Sequence, residues 1–291
     1  MLTLAGLLQL LINGILVGLS YALIGLGFTL VFGVMRMLNL LHGSAYAWAA
    51  FLVFVGANLI GIPYWLAVVL AVAALAPMAA LVERLILRSL VGNEFASLVV
   101  TLGLFISLEG LALLVFGPDP LPIRPPLQGV LVVGGVRVSS MRALVAGIAL
   151  LAIIALWFTL RRTDLGRAMR AVAEAPEIAA LMGISRGRIY FASYVIGMTL
   201  AALAGATLAP AFSVTPSIGL TPLVKSFIVV IIGGLGNVPG AVVAGLGLGL
   251  LESGSGFLVG TARTGQIVFV IIILTLLWRP EGILAGGTGR R

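Results

Sequence analysis

The chain has 291 residues, of which 61% are hydrophobic and 9% charged, with 17 Lys and Arg against 9 Asp and Glu and a mean hydropathy of +1.24. Such a balance cannot build a water-soluble surface and suits a chain made for lipid. Without cysteine there is no disulfide framework, thiolate nucleophile or cysteine metal site, and a single histidine cannot build a metal centre alone.

The expected fold class is an all-α polytopic membrane protein. A β-barrel needs segments of about ten residues that alternate apolar and polar, whereas 267–278 (IVFVIIILTLLW) is apolar on every side. The 38 glycines exceed what a soluble helical protein uses, and small residues let membrane helices approach one another closely. The formal charge of +8 is scattered between apolar runs, with no basic stripe interleaved with aromatics. It points to loops facing cytoplasm and lipid head groups, and to no nucleic acid.

A membrane helix takes about 20 mainly apolar residues, and such runs follow in chain order. The first is 4–35; because the first basic residue is Arg36, no charged leader precedes it and it reads as a retained span. Then 43–82 carries no charge and is split by Asn58-Leu-Ile-Gly-Ile-Pro63 into two helices. The runs 95–116, which contains Glu109, 143–160 and 190–212 follow. The region 220–251 is interrupted at 233–240, and 266–278 closes the set. The sum is about eight transmembrane helices, with discontinuous or re-entrant segments near 36–43 and 233–240. Residues 1–291 read as a single transmembrane domain, since no polar segment is long enough to fold alone.

Orientation follows Lys and Arg in short loops. Segment 161–188 holds Arg161, Arg162, Arg167, Arg170, Arg186 and Arg188 and is placed in the cytoplasm. Arg84 and Arg88, two spans earlier, fall on the same side, as do Arg279, Arg290 and Arg291 if an odd number of crossings follows residue 212. The proline-rich segment 117–142 then lies outside, and so does the N-terminus if the first three runs all cross.

Three features carry mechanism. In Asn39-Leu-Leu-His42-Gly43 a polar break sits between apolar runs, tolerated at membrane depth only when buried in protein or lining a wet cavity. It reads either as lining a transport route or as a plain turn, with Asn39 capping the next helix and His42 bonded to a carbonyl. A proton relay through His42 would need carboxylates or histidines in series. In Gly233-Gly234-Leu-Gly236-Asn237-Val-Pro239-Gly240 no ordinary helix runs straight through. The freed backbone either lines a route or packs against a neighbouring helix, and the Gly-Lys-Ser/Thr ending of a nucleotide loop is missing. The two breaks hint weakly at an internal repeat. GxxxG spacing recurs at Gly14/Gly18, Gly236/Gly240 and Gly245/Gly249. In the loop, Pro176 suits the first turn of a helix from Glu177 to Met182, with Gly183 as its stop. Such a helix docks on a cytosolic partner or lies on lipid.

Four patterns, these three and one at 280–283, resemble, in order, those of the ABC-importer permeases for branched-chain amino acids, a family that also holds urea and amide permeases. Asn39-Leu-Leu-His42-Gly43 is similar to their Asn-Phe-Ala-His-Gly. Gly166-Arg167, Arg170-Ala171 and Gly183-Ile184 are similar to their coupling loop. Gly233-Gly234, Gly236 and Pro239-Gly240 match their late glycine break, and Pro280-Glu-Gly282-Ile283 their terminal motif. The resemblance implies a bacterial inner-membrane permease that works with a second homologous permease, two cytosolic ATPases that bind the ATP, and a periplasmic solute-binding protein. It implies no cofactor and no catalytic residue in this chain. It assigns Arg167, Arg170, Glu174, Glu177, Ala179, Ala180 and Gly183 to ATPase coupling, and Asn39, His42, Gly43, Gly233, Gly234, Gly236, Asn237 and Gly240 to the substrate pathway. Two departures stand out: Leu40-Leu41 replaces Phe-Ala, and Ser44 stands where a carboxylate often follows His-Gly, which leaves urea or a short amide as the alternative solute.

Other function classes fit less well. An ion-coupled transporter or channel acting alone usually needs buried carboxylates, and Glu109 and Glu252 are the acids well inside apolar runs, with Lys225 the chain's only lysine. An intramembrane enzyme would need a nucleophile and base or a metal cluster.

Overall fold

The computed structural model describes residues 4–133 and 135–278. Pro280-Glu-Gly282-Ile283 and Arg279, Arg290 and Arg291 lie outside the described residues. Among those described, eight helices are long and apolar enough to cross a membrane, and a shorter apolar stretch, Thr264–Thr275, follows them.

The helices fall on the apolar runs. They are α1 (Leu4–Met35), α2 (Leu41–Phe54, continued by one π-helical turn, Val55–Ile60), α3 (Tyr64–Leu85), α4 (Glu94–Phe116) and α5 (Ser140–Arg162). After the arginine-rich segment come α8 (Arg186–Leu208), α9 (Leu220–Gly233), α10 (Val238–Val259) and α11 (Thr261–Trp278). The segment itself forms α6 (Asp164–Glu174) and α7 (Pro176–Leu181). Residues 117–142, read from sequence as loop, contain an antiparallel hairpin of β1 (Val130–Val133) and β2 (Val136–Ser139). Its Val-rich strands lie in the extramembrane segment and leave the helical membrane fold unchanged.

The core is built on α1, whose central residues Ala22, Leu23, Leu26 and Phe28 are buried. It runs antiparallel to α10, and two of the GxxxG motifs make the crossing. A methyl added at Gly18 would lie 2.7 Å from the Leu246 Cα, and one at Gly245 would lie 2.6 Å from the Ala22 Cα. Backbones this close need the missing side chains, and dispersion between them replaces the hydrophobic drive that lipid cannot supply. By contrast α3, α4 and α5 expose leucines and valines such as Val69, Leu102, Leu114 and Leu151, as lipid-facing helices do.

Cross-contacts fix the sidedness of the ends. The Gln9 amide donates to the Arg137 carbonyl at 2.7 Å and its oxygen accepts from the Arg137 N–H at 2.8 Å. The start of α1 therefore sits with the hairpin. Asn58 reaches the Pro122 carbonyl at 3.1 Å on that same side. At the other end, Arg36 meets the Ala173 carbonyl of α6 at 3.5 Å. The N-terminal end of α1 and the arginine-rich segment are thus on opposite sides, as three full crossings require.

Candidate functional site

After α1 ends at Met35 the chain reverses at Arg36, whose φ of 52° is the one positive value among described non-glycine residues. Residues 36–40 are non-helical and run back alongside α8. Asn39 donates through Nδ2 to the Met198 Sδ at 3.2 Å, in the middle of α8. His42 Nε2 lies 2.8 Å from the Ile24 carbonyl, about three turns back from the end of α1. Because a carbonyl only accepts, Nε2 carries the proton. The segment is therefore re-entrant, and α2 starts deep inside the helix bundle.

This geometry divides the two readings of the break. His42 is held by a carbonyl, as in a plain turn, and Phe28 meets its ring edge at 5.7 Å. Asn39 does not cap α2, whose N-cap is Leu40 without a side-chain bond. Asn39 and His42 are 2% and 1% exposed, and Asn39 Oδ1, His42 Nδ1 and Ser44 Oγ lack hydrogen-bond partners. Gly43 is required sterically, since a methyl there would stand 2.7 Å from the Gly219 carbonyl and 3.0 Å from Phe105.

Beside this break a cavity of about 200 Å³ opens between α2, α3, α4 and α8, lined almost wholly by apolar side chains with Ser44 and Tyr194 among them. Tyr194 is fully buried and Glu83 is 1% exposed. The Tyr194 hydroxyl has Asn39, within hydrogen-bonding reach, and Glu83 as its polar neighbours, and neither it nor Glu83 Oε1 makes a hydrogen bond of good geometry. Sequence reasoning missed both residues. Glu83 closes an apolar run and reads as a boundary charge. Its i, i+4 spacing from Ala79 and to Leu87, both buried, is the signal that turns it inward.

The second break is a tight turn. Gly234 and Gly236 take φ of 91° and 79°, which glycine adopts freely. Asn237 Oδ1 accepts the Gly240 N–H at 3.0 Å and caps α10. A methyl on Gly233 would sit 2.6 Å from the Gly240 carbonyl carbon, and one on Gly236 would sit 2.9 Å from the Gly33 Cα. The turn thus packs at the end of α1, while Asn39 and His42 lie deeper, toward α8. The two breaks adjoin α1 without forming one site.

Lys225 and Glu252, apart in sequence, form an ion pair between α9 and α10, with Nζ 2.7 Å from Oε1 and 3.0 Å from Oε2. Tyr21 of α1 accepts from Lys225 and donates to Glu252. The sole lysine and one of the acids noted in the apolar runs are therefore spent on each other.

On the arginine-rich side, α6 buries Gly166, Met169 and Val172 and turns Arg167, Arg170 and Glu174 outward. The Thr163 hydroxyl accepts the Gly166 N–H at 3.2 Å, starting α6. Pro176 opens α7, and Gly183 at φ 84° ends it. There the Gly183 N–H bonds to the Ala180 carbonyl and the Ile184 N–H to the Ala179 carbonyl, both at 3.0 Å, a Schellman cap. Ala179 packs inward at 4% exposure, whereas Glu177 and Ala180 face out. Ile178, Leu181 and Met182 are 63%, 86% and 78% exposed.

Residues 10–277 match the family described as branched-chain amino acid transport system, permease component. The chain is 33% identical over 292 residues to the high-affinity branched-chain amino acid transport system permease protein BraD of Pseudomonas aeruginosa, covering 95% of each. It is 32% identical to the corresponding LivH of Escherichia coli K12, again over 95% of each. A fructose import permease protein, FrcC of Rhizobium meliloti, shares 32% over 114 residues, 37% of this chain and 32% of that one. No solved structure matches. A profile spanning nearly the whole chain, relatives aligned end to end and eight apolar helices agree: the chain is a multi-pass inner-membrane protein and belongs to the permease family of branched-chain amino acid ABC transport systems.

Proposed function

We propose that this permease moves branched-chain amino acids inward, paired with a second homologous permease, driven by two cytosolic ATPases that bind the ATP and supplied by a periplasmic binding protein. The observation that carries the coupling is α7. Ile178, Leu181 and Met182 stand exposed on a short capped helix outside the membrane spans. Apolar residues in that position, on a segment that also exposes Arg167, Arg170, Glu174 and Glu177, suit a groove on a cytosolic partner. The rigid proline start and Schellman end favour transmission of a push over loose contact with lipid.

The substrate class has its own support. The BraD and LivH relatives are named for branched-chain amino acids, and the walls of the cavity beside Ser44 are apolar, which suits an aliphatic side chain better than urea or a short amide. Asn39, His42 and Gly43 shape the route on this reading, and Gly233, Gly234, Gly236, Asn237 and Gly240 hold the helices around it.

The test is L181E in the complex reconstituted in proteoliposomes with its ATPases and binding protein. Solute-stimulated ATP hydrolysis is expected to fall about tenfold or more, as loss of a buried anchor does. Unchanged stimulation sinks the docking claim.

A further inference from the structure

Two cavities lie one behind the other along α3 and α8. The first is the one of about 200 Å³ whose walls include Leu41, Trp48, Met78, Leu111 and Met198. The second, of about 580 Å³, opens on the arginine-rich side among Met35, Arg36, Arg88, Arg186 and Tyr190. On α8 the first cavity takes Tyr194 and the second Tyr190, one turn apart. Along α3 the first takes Ala79 and Val82, and the second takes Arg88 just beyond the helix end. Glu83, next after Val82 in the chain, lines neither cavity and neighbours Tyr194 of the first.

Ser44 and Tyr194 are the polar side chains in the wall of the first cavity, and polar atoms there and next to Tyr194 are unspent. Glu83 Oε1, the Tyr194 hydroxyl, Asn39 Oδ1 and Ser44 Oγ are all buried without hydrogen-bond partners. The cations nearest Glu83 are Arg84 and Arg88, and neither forms a salt bridge with it. Arg84 lies over the Phe191 ring at 4.7 Å, and the Arg88 guanidinium lies 3.1 Å from where a methyl on Gly187 would be. Leaving such atoms unpaired in a low-dielectric interior is costly. A cluster of them beside a cavity therefore marks a place where a ligand brings the missing partners.

The chemistry of that ligand follows from the atoms. Glu83 Oε1 and Asn39 Oδ1 accept, and the two hydroxyls accept or donate, so the ligand must present several donors. A carboxylate among them selects positive charge. A metal ion would want more ligands, and no group of three or more His, Cys, Asp or Glu side chains comes together among the described residues. A primary ammonium has three donors and one charge, and the apolar walls of the first cavity receive an aliphatic chain.

We propose that Glu83, Tyr194 and Asn39 form the recognition point for the ammonium group of an aliphatic amino acid as it passes from the first cavity to the second. The inference rests on the permease reading above and names the chemistry within it.

The test uses the reconstituted complex and leucine carrying a diazirine in its side chain. In the wild type, photolabel is expected on α2, α3 and α8 around the first cavity. Leucine should displace it about tenfold better than the matching 2-hydroxy acid, which has no ammonium, as loss of one charge-assisted bond dictates. In E83Q that preference should collapse to about twofold, and E83D should restore part of it. Y194F, which keeps the ring and so the packing, should lower the preference about threefold and serves as readout if E83Q does not assemble. Labelling that maps elsewhere, or a preference unchanged in E83Q and Y194F, overturns the proposal. Absence of uptake of any amino acid by the wild-type complex instead overturns the transport reading itself.

Discussion

The two interruptions of the apolar sequence, at 36–43 and at 233–240, look alike as strings and differ as structures. The first climbs back into the bundle and leaves Asn39 Oδ1, His42 Nδ1 and the adjoining Ser44 Oγ buried without partners beside a cavity. The second is a turn whose asparagine is consumed in capping α10 and whose glycines exist to let Gly233 meet Gly240 and Gly236 meet Gly33. A break in a membrane helix is therefore not in itself a site. What distinguishes a binding region from a packing device is whether its polar atoms are already spent, because a buried acceptor without a donor holds free energy that a ligand can recover.

The largest expected effect tests the packing half of that contrast. Substituting Gly240→Val places a side chain on the Gly233 carbonyl, a backbone collision that rotamer changes cannot relieve. Loss of about 3 kcal/mol or more is expected, seen as loss of monodisperse protein in detergent. Gly247, which faces open space, is the control: Gly247→Ala should be neutral or stabilise by up to about 1 kcal/mol. If both substitutions behave alike, the turn is not a packing element.

A smaller effect is expected at the ion pair that ties the α9–α10 hairpin to α1. K225M leaves Glu252 and Tyr21 without their cation, and a loss of about 1–3 kcal/mol is expected, discounted because the two side chains keep 21% and 19% of their exposure. The double variant K225M/E252Q should recover most of it. Thermal unfolding in detergent reads both, and a double variant no better than the single would show that the charges are needed for something other than each other.

The smallest effect on stability, and opposite in sign, is expected at the first break. Ser44→Ala removes an unpartnered buried hydroxyl and should leave stability unchanged or raise it by about 1 kcal/mol, while solute uptake falls. A Ser44→Ala protein that unfolds earlier with normal uptake would make the first break a packing device like the second.

Much of this was legible in the linear pattern. Runs of apolar residues too long for a soluble core located α1 to α5, α8 and α9 to within a few residues, while α10 runs eight residues beyond its run, to Val259, and α11 starts five residues before its own, at Thr261; lipid demands satisfied backbone and apolar exteriors along the whole span. Pro176 and Gly183 marked α7, since their backbone preferences act locally. Residues 164–174 form a helix the sequence reading left unassigned, because its buried face is only three residues wide and needs α5 to pack on.

The site was less legible, for a physical reason. Lys225 and Glu252 were visible as charges in apolar runs, yet their pairing depends on α9 and α10 folding back on each other. Glu83 lies one residue past the apolar run 43–82, and only the packing of α3 on α8 turns it toward Tyr194. Periodicity states that a residue will be buried in lipid or protein, since that depends on local composition. Which polar atoms find partners, and which are left beside a cavity, depends on distances between helices far apart in the chain, and those are set by tertiary packing alone.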